Sequence, residues 1–165
     1  WNRSKLEVSA LMFLLKRTIL SYADELDRKK VRLMLSGRIG DLPGPAREAL
    51  RAAEERLKGN AGMVLNIALN YGGRQEILDA ANRALAEGRK SVDEKSFGSL
   101  LYTSPLPDPD LLIRTSGEMR ISNFLLWQTA YSEFYVTETL WPDFREKEFE
   151  KALVEYQARE RRRGK

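Results

Sequence analysis

Arg114 and Arg120 flank a small Ser116-Gly117 turn, with Ser122 and Asn123 just beyond and Glu133 ten residues later. Two guanidinium groups around a short turn suit a multiply charged anion. Each is planar, donates paired hydrogen bonds to phosphate oxygens and keeps its charge at any working pH. The remaining inventory narrows the chemistry. The 165 residues include no Cys and no His, so thiol nucleophiles, disulfides, thiolate metal sites and imidazole bases are excluded. No GxxxxGK[ST] or GxGxxG loop is present. Carboxylates, arginines, hydroxyls and backbone amides are left, a set suited to Mg²⁺ and phosphates.

The elements that must position these groups follow from pattern. The expected fold is α/β, a mostly parallel sheet flanked by helices. Ser4-x-x-Glu7 reads as a capping box opening a long helix, with Leu11, Leu14, Leu15, Thr18, Ile19, Tyr22 and Leu26 at helical spacing. Val31–Leu35 reads as a short strand, followed by a Gly- and Pro-rich loop. A helix is expected from about Pro45 to Lys58. The apolar run Met63–Asn70 fits a strand buried on both faces. A helix from about Arg74 to Glu87 follows, closed by Gly88, and Ser91-x-x-Glu94 caps a shorter one. Asp110–Arg114 (DLLIR) is the next buried strand, Ile121–Tyr131 a helix, and Glu133–Thr137 a strand. Asp143-x-x-Glu146 caps a last helix running to about Arg161.

In this scheme Arg114 ends a parallel strand, where open α/β sheets bind ligands. Arg120, Ser122 and Asn123 then open a helix, whose N-terminal amides favour anions. An isolated arginine would more often make a surface ion pair, here with Glu118. Two arginines at a strand-to-helix junction favour the pocket. Asp108 and Asp110 flank Pro109 and shape a turn. Asn70-Tyr71-Gly72-Gly73 is either a phosphate seat or a tightly packed turn.

Apolar residues make up 42% and charged residues 32% of the chain, with a net charge of +4. These are values of a globular protein. No apolar run is long enough to span a bilayer, and the expected setting is cytoplasmic. The basic tail Arg159–Lys165 reads as a solvated helix end. A nucleic-acid-binding domain would need basic residues interleaved with exposed aromatics along one face, and that pattern is missing.

The chain resembles the cis-prenyltransferases, the group that includes undecaprenyl diphosphate synthase. The matching segments are WNR at the start, NIALNYGGRQEI at Asn66–Ile77, PDPDLLIRTSGEMRISNFLLWQTAYSEFYV at Pro107–Val136, LWPDF at Leu140–Phe144, and RERRRG near the end. The resemblance implies an enzyme that condenses isopentenyl diphosphate with an allylic diphosphate such as farnesyl diphosphate, using Mg²⁺. It implies that Arg114, Arg120 and Ser122 hold the diphosphate of isopentenyl diphosphate, supported by Glu118. Glu133 would help with Mg²⁺, and Arg3 would reach the allylic diphosphate. Arg162 and Gly164 would complete the neighbouring subunit's site in a homodimer. The product would meet the inner face of a membrane, and nucleic acid is not an expected partner. A non-catalytic accessory subunit is the alternative within the same superfamily, but such subunits usually degrade the diphosphate-binding cluster that is intact here. The family pattern also carries an upstream strand and an Asp-Gly-Asn-Gly-Arg loop before WNR. Residues 1–165 are therefore expected to form a single domain missing its first strands and phosphate-binding loop, inactive alone.

Overall fold

A computed structural model of the chain describes residues 5–160. The chain divides into two compact units, one ending at Ser104 and the other beginning at Pro105. In the first unit, helix α1 (Lys5–Arg28) leads to strand β1 (Arg32–Ser36), a 3₁₀ turn (Ile39–Asp41), helix α2 (Gly44–Leu57), strand β2 (Val64–Ala68), helix α3 (Gly73–Ala86) and the short helix α4 (Glu94–Gly98). The second unit holds strand β3 (Leu111–Arg114), strand β4 (Glu133–Val136), a 3₁₀ turn (Trp141–Asp143) and helix α5 (Glu146–Ala158).

The parallel pairing is as expected, but it forms two two-stranded sheets, β1–β2 and β3–β4. Arg32 lies opposite Val64 and Ser36 opposite Ala68 in the first. Leu111 lies opposite Glu133 and Arg114 opposite Val136 in the second. The Leu35 amide donates to Glu54 Oε1 of α2 at 2.9 Å, so a helix side chain satisfies a strand group outside the ladder.

The core of the first unit gathers Ile19 of α1, Leu33 and Leu35 of β1, and Leu50 and Leu57 of α2, with Ile39 and Leu42 closing one end. Leu50 and Leu57 are fully buried. Burying each stabilises the fold by roughly 1.5–3 kcal/mol. On α1 the packed stripe is Met12, Leu15, Ile19 and Leu26. Leu11, Leu14 and Tyr22, expected on that face, are exposed, because they lie on its flank. All five residues of β2 are only partly buried. The expectation of burial on both faces fails, since β2 pairs with β1 alone among the described residues.

Gly37 ends β1 with φ +116, and a Cβ there would drive into the Leu69 carbonyl, so only glycine allows that approach. Capping differs from expectation in two places. Asp93 and Ser96, not Ser91 and Glu94, form the capping box of α4, with Ser96 N donating to Asp93 Oδ1 at 2.7 Å. Asp143 belongs to the 3₁₀ turn, and α5 starts from Arg145 with no side-chain cap.

The largest departure is residues 121–131, a run of turns rather than a helix. Ser122, Asn123 and Leu125 have φ of 50, 62 and 48. Left-handed residues cannot continue a right-handed helix. A helical-type bond runs from Thr129 N to Leu125 O at 3.0 Å.

Candidate functional site

The site in the second unit is built on the end of β3. Arg114 O accepts the Thr137 amide at 2.9 Å, Ser116 N donates to Thr139 O at 3.0 Å, and Gly117 N donates to Thr137 O at 2.9 Å. The 114–117 turn is thus tied to the segment after β4. Two of its amides are already used and do not face a ligand. Ser116 and Gly117 both lie at positive φ, 68 and 65. A Cβ on Gly117 would fall 2.5 Å from Glu138 Oε2, so glycine also lets that carboxylate lie against the turn.

Arg114 is half-buried. Its Nη2 reaches Ser122 Oγ at a marginal 3.5 Å, and its buried Nε has no hydrogen-bond partner. A buried donor on a charged group normally finds an acceptor, so this guanidinium is short of one. Arg120 is exposed over 66% of its side chain and pairs with Glu118. The structure therefore brings Arg114 and Ser122 together, while Arg120 makes the local ion pair weighed against the pocket. With no helix at 121–131, no helix N-terminus backs the site.

Glu133 sits apart. It opens β4 while Arg114 ends β3, three residue steps away by register, or about 10 Å. Alternation places Arg114 on the face of Leu112, Phe134 and Val136, and Glu133 on the other face with Tyr135. Its Oε2 accepts from Arg159 Nη1 at 2.9 Å. Arg159 also pairs with Glu155, and the two carboxylates, Glu155 foremost, raise the guanidinium pKa above its usual value.

No group of three or more carboxylates among the described residues could hold a metal ion, and Glu133 is committed to Arg159. The described residues do not fit a Mg²⁺ site beside Arg114. Arg3, Arg162 and Gly164 lie outside the described residues.

The first unit holds a polar cluster that sequence reasoning missed. It lies after β1 and β2, around the 70–73 turn singled out as a possible phosphate seat. Asn70, at φ 48, donates from Nδ2 to Arg38 O at 3.0 Å. Arg38 forks onto Asp79, with Nε to Oδ2 at 2.8 Å and Nη2 to Oδ1 at 2.7 Å. The Tyr102 hydroxyl also donates to Asp79, as does Gln75 Nε2 at 3.0 Å. These bonds, led by Arg38, hold the Asp79 carboxyl well below the usual range against the opposing effect of burial. Burial, reinforced by Asp79, pushes the Tyr102 phenol up to about 12. Glu76 is fully buried; it accepts the Tyr102 amide at 2.8 Å and the Tyr71 hydroxyl. The one clue in the sequence is Gln75, Glu76 and Asp79 recurring at helical spacing. The network braces the 70–73 turn through the side chains of Asn70 and Tyr71.

The undecaprenyl diphosphate synthase family model matches residues 1–164. The chain belongs to that family. An isoprenyl transferase of Fusobacterium nucleatum is 50% identical over 164 residues, covering 99% of this chain and 71% of that protein. One of Geobacter sulfurreducens is 52% identical over 171 residues, covering 100% of this chain and 70% of that protein. The structure matches lavandulyl diphosphate synthase from Lavandula x intermedia, solved in complex with dimethylallyl diphosphate. The TM-score is 0.93 at 37% identity, over 99% of this chain and 74% of that one. A probable undecaprenyl diphosphate synthase from Campylobacter jejuni matches with a TM-score of 0.90 at 35% identity, over 100% of this chain and 78% of that one. These relatives bear out the cis-prenyltransferase resemblance and the α/β fold. No helix of the described residues is long and apolar enough to cross a membrane.

Proposed function

We propose that this chain performs cis-prenyl chain elongation. It joins isopentenyl diphosphate to an allylic diphosphate, forms one carbon–carbon bond and releases diphosphate and a proton at each addition. Membership in a family of isoprenyl transferases supports the reaction class.

One observation carries the site assignment. Arg114 ends a parallel strand with a half-buried guanidinium, a buried Nε that lacks an acceptor and a marginal contact to Ser122. A diphosphate oxygen would supply the missing acceptor with a charge-assisted bond. Arg120 joins it by exchanging Glu118 for the ligand. That exchange costs little, because an exposed ion pair contributes about 0–1 kcal/mol. Ser122 donates its hydroxyl, and Glu118 orients Arg120 until the ligand arrives. Arg3 is assigned to the allylic diphosphate, and Arg162 and Gly164 to the site of a second copy in a homodimer. Mg²⁺ is assigned to the substrates' phosphates, since this ion commonly keeps most of its ligands outside the protein. The setting assigned is cytoplasmic, with the apolar product passing to the inner face of a membrane.

The test is incorporation of labelled isopentenyl diphosphate onto farnesyl diphosphate by the full natural chain. Arg114→Met should lower kcat/KM about 30- to 150-fold, the loss of one hydrogen-bonded charge contact of about 2–3 kcal/mol. Incorporation unchanged in that variant, or absent in the parent, refutes the proposal.

A further inference from the structure

We infer that Tyr102 is a positioning residue, a rivet that fixes where the chain leaves the first unit and steadies the segment running on to β3 and Arg114. Every polar group of Tyr102 is bonded within that unit. Its amide donates to Glu76 Oε1 of α3 at 2.8 Å. Its carbonyl accepts from the Ser36 hydroxyl at 3.2 Å, a proton shared with Asn66 Oδ1 at 2.9 Å. Its hydroxyl donates to Asp79 of α3, the carboxylate that Arg38 grips with two bonds. The ring is held as well. The Arg83 guanidinium lies over it, 5.3 Å from the centroid, and the Tyr71 ring meets it edge-on at 6.2 Å. Both arrangements are attractive.

These partners span β1, β2, the turn after β2, and α3. Ser36 and Glu76 are fully buried. Moving residue 102 away would strip bonds from groups that water does not reach, which is costly. Leu101 and Thr103, on either side, are buried too, so the segment is seated and Tyr102 supplies polar bonds that fix it.

Tyr102 comes just before the first unit ends at Ser104. Prolines then stand at 105, 107 and 109, and β3 opens at Leu111. Each proline fixes its own φ and bars helical backbone at the residue before it, which makes the connection semi-rigid. Its far end is tied as well, where the Ser132 hydroxyl donates to Pro109 O at 2.5 Å. A stiff connection passes on a shift of its anchor, where a flexible one would absorb it. The kinetic consequence rests on the reading under Proposed function, in which Arg114 holds the diphosphate of isopentenyl diphosphate. Loosening the rivet then misplaces that arginine and weakens the hold.

The experiment uses the full natural chain, with hydrogen exchange and steady-state kinetics as readouts. Tyr102→Phe removes the hydroxyl and keeps the ring, and Tyr102→Leu removes both. Ala53→Gly, in the buried face of α2, is the control, since glycine in a helix interior lowers stability away from Tyr102. Tyr102→Phe should speed exchange over residues 99–110 about fivefold, the loss of one hydrogen bond, with α2 within about twofold of the parent. Tyr102→Leu should do so more than about tenfold. KM for isopentenyl diphosphate should rise about fivefold in Tyr102→Phe, with KM for farnesyl diphosphate within about twofold. Ala53→Gly should speed exchange in α2 and leave both KM values within about twofold. The inference is overturned if Tyr102→Phe speeds exchange equally in α2 and in 99–110, which would make Tyr102 an ordinary stabilising residue. It is overturned equally if both KM values stay at the parent's in Tyr102→Phe while Arg114→Met raises the first, since the anchor then does not reach Arg114. If the parent chain transfers no prenyl group, the function reading fails, and the exchange rates still decide whether Tyr102 fixes the segment.

Discussion

Gly117→Ala tests whether the turn between the two arginines is set by backbone geometry. Gly117 lies at φ +65, where an L-residue costs roughly 1–2 kcal/mol. Alanine also restricts the unfolded chain, which returns about 0.4–1 kcal/mol. The net loss is then about 1 kcal/mol, or a fall in Tm of about 2–4 °C for a chain of this size. The added Cβ would fall 2.5 Å from Glu138 Oε2. Because that atom ends a flexible side chain, it moves away at small cost. Glu138→Ala in the same background should therefore recover only a few tenths of a kcal/mol. The kinetic effect should exceed the thermodynamic one. The turn sets the spacing of Arg114 and Arg120, and misplacing binding groups by about 1 Å costs up to about 100-fold. KM for isopentenyl diphosphate should rise about tenfold. Urea denaturation and steady-state kinetics of the three variants read these quantities. If Gly117→Ala leaves both Tm and KM at parent values, the turn does not position the arginines. If Glu138→Ala restores full stability, sterics and not φ made glycine necessary.

The Asp79 cluster predicts pH dependence at both extremes. The folded-state pKa of Asp79 is depressed, chiefly by the Arg38 fork. Its contribution to stability is present above the unfolded value of about 3.9 and is lost as pH falls below it. Asp79→Asn should flatten an acid denaturation curve in that range, and an unchanged curve would dismiss the cluster as a source of stability. Tyr102 is raised to about 12, so its contribution holds below about 10 and fades as pH rises towards 12. Absorbance titration near 295 nm should find one phenol missing in Tyr102→Phe at the top of the range, and a missing phenol near 10 would contradict the burial.

Some of this was legible in the sequence for physical reasons. DLLIR reads as a strand because a short apolar run follows a Pro-rich turn, and β3 covers Leu111–Arg114. The Pro near the start of α2 and the glycine near its end mark that helix closely, at Gly44–Leu57. The 121–131 segment misleads because Ile121, Phe124, Leu125 and Trp127 fall at helical spacing. Its backbone is instead turned by left-handed residues, and the Ser122-Asn123 pair, with Asn tolerant of that region, was the only local sign. In the candidate site, the strand end at Arg114 was readable. The occupation of the turn amides by Thr137 and Thr139 was not, since it depends on pairing across some twenty residues. Arg38 with Asp79, 41 residues apart, and Arg159 with Glu133, 26 apart, leave no periodic trace. Such non-local pairs belong to the fold and not to any window of the sequence.

In the proposed site, Arg114 takes its missing acceptor from isopentenyl diphosphate. Calorimetric titration of that diphosphate into the parent chain and Arg114→Met, with no allylic substrate present, reads it directly. Affinity should fall at least about 30-fold in the variant, equivalent to about 2 kcal/mol. Equal dissociation constants for the two proteins would place the diphosphate elsewhere and contradict the account.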